Sequence, residues 1–162
     1  MHDPLAFFFC IAEEIKAQKK STVNVYDIKQ FQIEIVNSNY ASAYAILFII
    51  NNDNLNIYLK GDLEGEKDSL LFSRQLRPSD TLQKLSLVNL DSLKSHYSND
   101  CVNDGSQVTV IIGRDKEKKS VHLSNYYRED IGKIIILVNS IIPDEYRIWY
   151  DKKLLESFNN CK

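Results

Sequence analysis

Apolar residues near the start of the chain recur at helical spacing. Asp3 can cap this helix, and Pro4 suits its first turn because the first helical residues need no backbone donor. The pattern predicts an amphipathic helix packed on the core, with a partner-binding helix as the alternative. One side of it is lined by Leu5, Phe8, Phe9, Ala12 and Ile15.

Alternation with a period of two replaces the helical spacing between Val23 and Phe72 and predicts strands. The Asn-rich cluster at residues 51–54 favours a tight turn, so the strands on either side of it are predicted to form a hairpin. Four strands are predicted. They contain Phe31, Ile33 and Ile35; the apolar run Tyr44–Ile50; the alternating residues Leu55, Ile57 and Leu59; and the segment Leu70–Leu76.

Helical spacing returns after Pro78. Asn89 interrupts it, so two short helices are expected rather than one. Their apolar positions are Leu82, Leu85, Leu90 and Leu93. A second hairpin is predicted from the alternation within Val108–Ile112 and Val121–Leu123.

The most regular helix is predicted at Glu129–Ile142. Asn125 is expected to cap it, and Pro143 to mark its end. Arg147–Tyr150 is expected to be a short last strand, and Asp151–Phe158 a short terminal helix. The apolar face of the long helix is formed by Ile131, Ile134, Ile135 and Val138.

The order of these elements predicts an α+β fold. Sequential strands joined by tight turns favour an antiparallel sheet of about five or six strands, with helices packed mainly on one face. No repeat, linker or low-complexity tract divides the sequence, so a single α+β domain over residues 1–162 is expected.

Composition is that of a folded domain, with 44% apolar and 26% charged residues. The net charge is −2, and acids and bases are interleaved. No nucleic-acid partner is expected, because phosphate binding needs clustered Lys and Arg. The apolar run Leu5–Ala12 is far shorter than the roughly 20 residues of a membrane helix, so no membrane span is expected.

Three cysteines, Cys10, Cys101 and Cys161, form no CxxC pair and no metal-ligating spacing. No Lys or Arg precedes the first apolar run, and Phe7–Phe9 are too bulky for a leader cleavage site. Reduced cysteines in a cytoplasmic protein are therefore predicted. The alternative is a Cys101–Cys161 bridge in an exported protein whose native N-terminus lies upstream.

Sequence motifs of catalysis and cofactor binding are absent. There is no GxSxG, GxGxxG or GxxxxGK[ST] motif, and His2, His96 and His122 each lack a second ligand at metal spacing. His122 alternates with Val121 and Leu123 and is expected on the solvent side of its strand. No enzyme activity, no metal and no cofactor are predicted.

Two groups of residues are candidates for binding a partner. Asp62, Glu64, Glu66 and Asp68 form an acidic series, which is either a solvated loop or a surface for a basic partner. The second group is aromatic and serves either as interface anchors or as the cover of one end of the core. It consists of Tyr126, Tyr127, Trp149 and Tyr150.

The last third of the chain resembles a group of small bacterial α+β proteins of unassigned function. The resemblance rests on the segments Val121–Tyr127, Val138–Pro143 and Ile148–Lys152. It implies a hairpin–helix–strand unit and no catalytic residue. The chain as a whole, a small α+β protein without enzyme motifs, is similar in type to the immunity proteins of bacterial competition systems.

These observations favour a non-enzymatic binding protein, with an immunity protein that neutralises a bacterial toxin as the leading hypothesis. Its expected partner is the cognate toxin, and the acidic series is expected to speed association with a basic toxin cleft. An accessory or ligand-binding protein of the cell envelope is the alternative. An enzyme whose site is assembled only in three dimensions is the third hypothesis.

Overall fold

The structure, a computed structural model, describes residues 26–38, 44–61, 65–99, 101–102, 105–114 and 117–157. The predicted N-terminal helix lies outside these residues. The strands are β1 Gln32–Ser38, β2 Ala45–Asn51, β3 Asn54–Lys60, β4 Ser69–Gln75, β5 His96–Ser98, β6 Gln107–Arg114 and β7 Glu117–Ser124. The helices are α1 Asp80–Ser86, α2 Glu129–Asn139 and α3 Lys152–Ser157, and Asp144–Tyr146 form a 3-10 turn.

The strands form one mixed sheet in the order β4-β3-β2-β1-β6-β7-β5. All neighbouring pairs are antiparallel except β5 and β7, which are parallel. The α+β class is confirmed in this broad form. The prediction of a purely antiparallel sheet of five or six strands is wrong, because β5 adds a seventh strand in the parallel sense.

Both predicted hairpins are confirmed. In the β2–β3 turn, the side-chain Oδ1 of Asn51 accepts hydrogen bonds from the backbone N–H groups of Asp53 and Asn54, at 2.9 and 2.8 Å. The side chain thereby fixes the turn that the Asn-rich cluster predicted. The β6–β7 hairpin pairs Arg114 with Glu117 next to its turn.

The core lies between one face of the sheet and helices α1 and α2. Ile33, Ile35 and Phe48 on this face are fully buried. The helices contribute residues to the same apolar cluster, namely Leu82, Leu85, Ile131, Ile134, Ile135 and Val138. The predicted apolar face of α2 is thus confirmed, and the helices lie on the side of the sheet that the alternation marked as buried. Among the described residues, no helix is long and apolar enough to cross a membrane.

Two predictions between α1 and α2 are wrong. The chain forms turns rather than a second helix at Leu90 and Leu93, although both side chains are buried as expected. Asn125 does not cap α2, whose N-cap residue is Arg128. Instead Asn125 adopts a positive φ of 51°, is buried, and donates from Nδ2 to the carbonyl oxygen of Val102. Its short polar side chain tolerates this conformation, so it ties down a loop rather than a helix.

Cys101 is disulfide-bonded. The prediction that the cysteines are reduced is therefore wrong for this residue. The other two cysteines of the chain, Cys10 and Cys161, lie outside the described residues.

Candidate functional site

Residues 147–151 form an extended segment that lies beside α2 instead of joining the sheet. The predicted last strand at Arg147–Tyr150 is therefore wrong, although its alternation is real: Ile148 is buried, whereas Arg147 and Trp149 are exposed. The neighbour of the buried residue Ile148 is a helix and not a strand. Between the segment and α2 lies a groove of about 320 Å³, which we call the α2 groove.

Two polar side chains hold the segment against the helix. Asn139 at the end of α2 donates from Nδ2 to the carbonyl oxygen of Ile148 and accepts from its N–H, both at 2.9 Å. The hydroxyl of Tyr150 donates to the carbonyl oxygen of Tyr126 at 2.9 Å and accepts from the N–H of Arg128 at 2.8 Å. The backbone groups of Ile148 that a strand would have paired are thus satisfied by the side chain of Asn139, and the side chain of Tyr150 bonds the backbone just before the start of α2.

Aromatic stacking builds the end of the groove near the start of α2. The rings of Tyr127 and Tyr150 stack with centroids 5.1 Å apart, and the amino group of Lys152 lies 5.5 Å from the centre of the Tyr127 ring. Gly132 permits this arrangement, because a Cβ atom there would lie 2.5 Å from the hydroxyl oxygen of Tyr127. Tyr126 stacks instead on Tyr97 of β5, at 5.4 Å.

Apolar side chains are exposed on both walls of the α2 groove. Ile136 on the helix is 68% exposed, and Trp149 on the segment is 46% exposed. Both line the groove. Two other depressions, beside Arg114 and beside Asn52, have no exposed large apolar side chain in their linings. Of these three depressions in the described part of the chain, the α2 groove is therefore the best suited to bind another apolar surface.

Charged side chains of both signs surround the N-terminal end of the α2 groove. Arg128 pairs with Asp130 at 3.0 Å, and Lys152 pairs with Glu129 at 3.5 Å. All four are partly or largely exposed, so these pairs contribute little to stability. They form a mixed polar rim of the kind that surrounds protein interfaces.

The phenols of the groove stay neutral at physiological pH. Burial raises the pKa of Tyr150, and burial together with the neighbouring Glu129 raises the pKa of Tyr127. A phenol with a raised pKa is a weak acid and, because it stays neutral, also a poor proton acceptor near pH 7, although it can still form hydrogen bonds. The chemistry available in the groove is thus apolar contact and hydrogen bonding.

The predicted partner residues are not brought together in one place. Tyr127, Trp149 and Tyr150 line the α2 groove, and Tyr126 adjoins it. The described members of the acidic series, Glu66 and Asp68, lie in the β3–β4 connection, at the opposite edge of the sheet from Tyr97. Glu66 and Asp68 are exposed there, whereas Asp62 and Glu64 lie outside the described residues.

Two residues of the groove escaped sequence reasoning. Ile136 falls outside the apolar stripe of α2, and an isoleucine on the polar side of an amphipathic helix is the signal that could have marked it. Asn139 gave no signal, because its partner Ile148 is recognised only in three dimensions.

His122 lies on the open face of the sheet, opposite Val121 and Leu123, as predicted. It is half-buried rather than fully solvated, and its ring stacks on that of His96 with centroids 5.1 Å apart. Its Nδ1 lies 2.8 Å from Oγ1 of Thr109. Desolvation, and secondarily the neighbouring His96, lower the pKa of His122.

Within the part of the chain that the structure describes, no group of three or more His, Cys, Asp or Glu residues is placed to hold a metal ion. No protein-family model matches the chain, and no curated protein matches it significantly.

Proposed function

We propose that this protein is a non-enzymatic binding protein of the toxin-immunity type, and that it engages its partner through the α2 groove. The observation that carries the proposal is the exposure of Ile136 and Trp149 on facing walls of one groove. Tryptophan is among the residues most often found to dominate the energy of protein interfaces. An exposed tryptophan beside an exposed isoleucine is a suitable centre for such an interface.

The fixed geometry of the groove supports the proposal. Two hydrogen bonds at the side-chain amide of Asn139 and two at the hydroxyl of Tyr150 hold the segment that carries Trp149. A wall held in this way loses little conformational freedom when a partner binds, and preorganisation of this kind increases affinity. A toxin inhibitor benefits directly, because its purpose is tight binding.

The chemistry of the groove supports the non-enzymatic part of the proposal. Its titratable groups next to the apolar centre include two tyrosines whose pKa values are raised. General acid–base catalysis works best with a group whose pKa lies near the working pH. The phenol of Tyr127 is thus better suited to hydrogen bonding than to proton transfer, and the hydroxyl of Tyr150 is already bonded to the backbone of Tyr126 and Arg128.

A role in the cell envelope is the second candidate, and the disulfide-bonded Cys101 favours it. Disulfides persist in oxidising compartments and are rare in the cytosol. The cytoplasmic location expected from the sequence competes with this export hypothesis. The α2 groove serves either role, since an envelope accessory protein also needs a surface for its partner.

The test is a growth-protection assay with the product of the neighbouring gene as the candidate toxin. Cells expressing that product should be protected by the wild-type protein and not by Ile136→Asp. A matched control is Leu87→Asp, which changes a residue that is 56% exposed outside the groove. Loss of protection by the control as well, or protection by Ile136→Asp at equal protein level, contradicts the proposed site. A neighbouring product that is neither toxic nor bound contradicts the immunity role.

A further inference from the structure

We propose that β4 is a dimerisation edge, at which two copies of this chain pair their β4 strands antiparallel and continue the sheet. This interface is separate from the α2 groove and does not depend on the proposed function. Its basis is the position of β4, its exposed leucines and the order of charges along its flanks.

β4 is a long strand at an edge of the sheet. The sheet order ends at β4, so only β3 pairs with it among the described residues. The other edge strand, β5, has three residues, whereas β4 has seven. In an antiparallel ladder alternate residues direct their N–H and C=O groups away from the neighbouring strand. The outer side of β4 thus offers backbone groups to a further strand.

Side chains that usually protect an edge are scarce in β4. Its sequence is SLLFSRQ, and its single charged residue is Arg74, whose guanidinium donates to the carbonyl oxygen of Ile141. The pairing with β3 shifts register between Ile57 and Tyr58, so that Leu71 has no directly opposed residue. Leu70 and Leu71 are 57% and 40% exposed. The irregularity therefore leaves two adjacent leucines in solvent, where natural edge strands usually carry lysine or proline.

Charge order identifies a second copy, aligned antiparallel, as the partner. Glu66 and Asp68 precede β4 with only Lys67 between them, whereas Arg74 and Arg77 lie at its other end, and all four of these charged residues are exposed. Antiparallel pairing about a two-fold axis near the middle of β4 brings the acidic end of each copy beside the basic end of the other. An interface of this kind is self-complementary, as a two-fold symmetric contact requires. Parallel pairing would instead align like charges.

The test is the mass of the wild-type protein in solution, measured by sedimentation equilibrium from micromolar to near-millimolar concentration. We expect a reversible increase from the monomer mass of 18.7 kDa to twice that value. A non-reducing gel of the same sample must show monomer, because a dimer linked through a cysteine would overturn the proposal. A protein that stays monomeric over the whole range would also overturn it.

Two kinds of variant locate the interface. Leu71→Lys should weaken dimerisation by at least about tenfold, since it places like charges face to face near the axis. Leu87→Lys, at an exposed leucine away from β4, is the matched control and should dimerise as the wild type does. Unchanged dimerisation of Leu71→Lys, with folding verified by circular dichroism, would place the contact elsewhere and refute the proposal.

Charge reversal tests the alignment independently of the leucines. Glu66→Lys and Arg77→Glu should each weaken the dimer by about two- to fivefold, as expected for exposed ion pairs. The double variant should return to wild-type affinity, because the signs are complementary again. Single variants without effect, or a double variant weaker than both, would contradict the antiparallel alignment.

Discussion

Asn139 holds Ile148 through both of its backbone groups, with one hydrogen bond donated and one accepted at 2.9 Å each. A primary amide reproduces in this way the pair of bonds that a neighbouring strand would make. This single side chain explains why a segment with strand-like alternation lies beside a helix. It also fixes the wall of the α2 groove that carries Trp149.

Removing the two hydrogen bonds between Asn139 and Ile148 should destabilise the fold. In Asn139→Ala the N–H and carbonyl of Ile148 lose their partners in a partly buried site, which costs roughly 1–3 kcal/mol. Urea unfolding measures this loss. Ser140→Ala is the control, since its hydroxyl bonds an exposed carbonyl of its own helix and should matter little. Equal stability of Asn139→Ala and wild type would show that the segment is held by other contacts.

The two stacked tyrosines should differ in their response to loss of the hydroxyl. Tyr150→Phe removes two hydrogen bonds at a partly buried oxygen and should cost roughly 1–3 kcal/mol in free energy of unfolding. Tyr127→Phe removes one weak, exposed bond of 3.3 Å to Glu129 and should cost much less. Thermal and urea unfolding of the two variants provide the comparison. A larger loss in Tyr127→Phe would contradict the assignment of Tyr150 as the buried support.

Acidification should destabilise the protein partly through His122. Its pKa is lowered in the folded state, so below the ordinary value of 6.5 the unfolded chain binds the proton more strongly. Stability is therefore unaffected by this residue above that pH and falls as the pH drops through and below it.

Urea midpoints between about pH 7.5 and pH 5.5, a range around the ordinary histidine pKa, measure this dependence. His122→Gln should lose less stability across the range than the wild type. His96→Gln removes only the secondary cause, so its dependence should lie between the two. A His122→Gln variant with the full wild-type dependence would assign the effect to other groups.

The disulfide of Cys101 should affect both the number of free thiols and the free energy of unfolding. With Cys101 bonded to one of the other two cysteines, alkylation under denaturing, non-reducing conditions should find one free thiol among the three. Cys101→Ser should lower the free energy of unfolding by about 2–5 kcal/mol. Reductant should destabilise the wild type but not this variant. Three reactive thiols in protein purified without reductant would contradict the bond.

Elements with a clean local pattern could be predicted from the sequence. The alternation at Ile33 and Ile35 and the helical stripe from Ile131 to Val138 each depend on neighbouring positions alone. The Asn-rich turn after β2 could also be predicted, because the side chain of Asn51 bonds the backbone only two and three residues further along the chain. In these cases the local period already determines which face is buried.

Features that depend on distant residues could not be predicted. β5 has three residues, which are too few to show an alternating period. Its parallel pairing with β7 places His96 beside His122, a residue distant in the sequence. The sequence predicts the alternation at Ile148, but the residue that bonds Ile148, Asn139, belongs to a helix. The predicted site shows the same division: the aromatic residues were found by type, whereas Ile136 and the separation of the acidic series became visible only in the fold.

The central claim is that the protein binds its partner through the α2 groove. Isothermal titration calorimetry of groove variants with the neighbouring gene product tests this claim most directly. Trp149→Ala and Ile136→Ala should each raise Kd by about 30-fold or more, since interface anchors contribute about 2 kcal/mol and each 1.4 kcal/mol is tenfold. The control Leu87→Ala changes an exposed leucine outside the groove, and this variant should bind as the wild type does. Wild-type affinity in both groove variants, or no binding by the wild-type protein, would contradict the account.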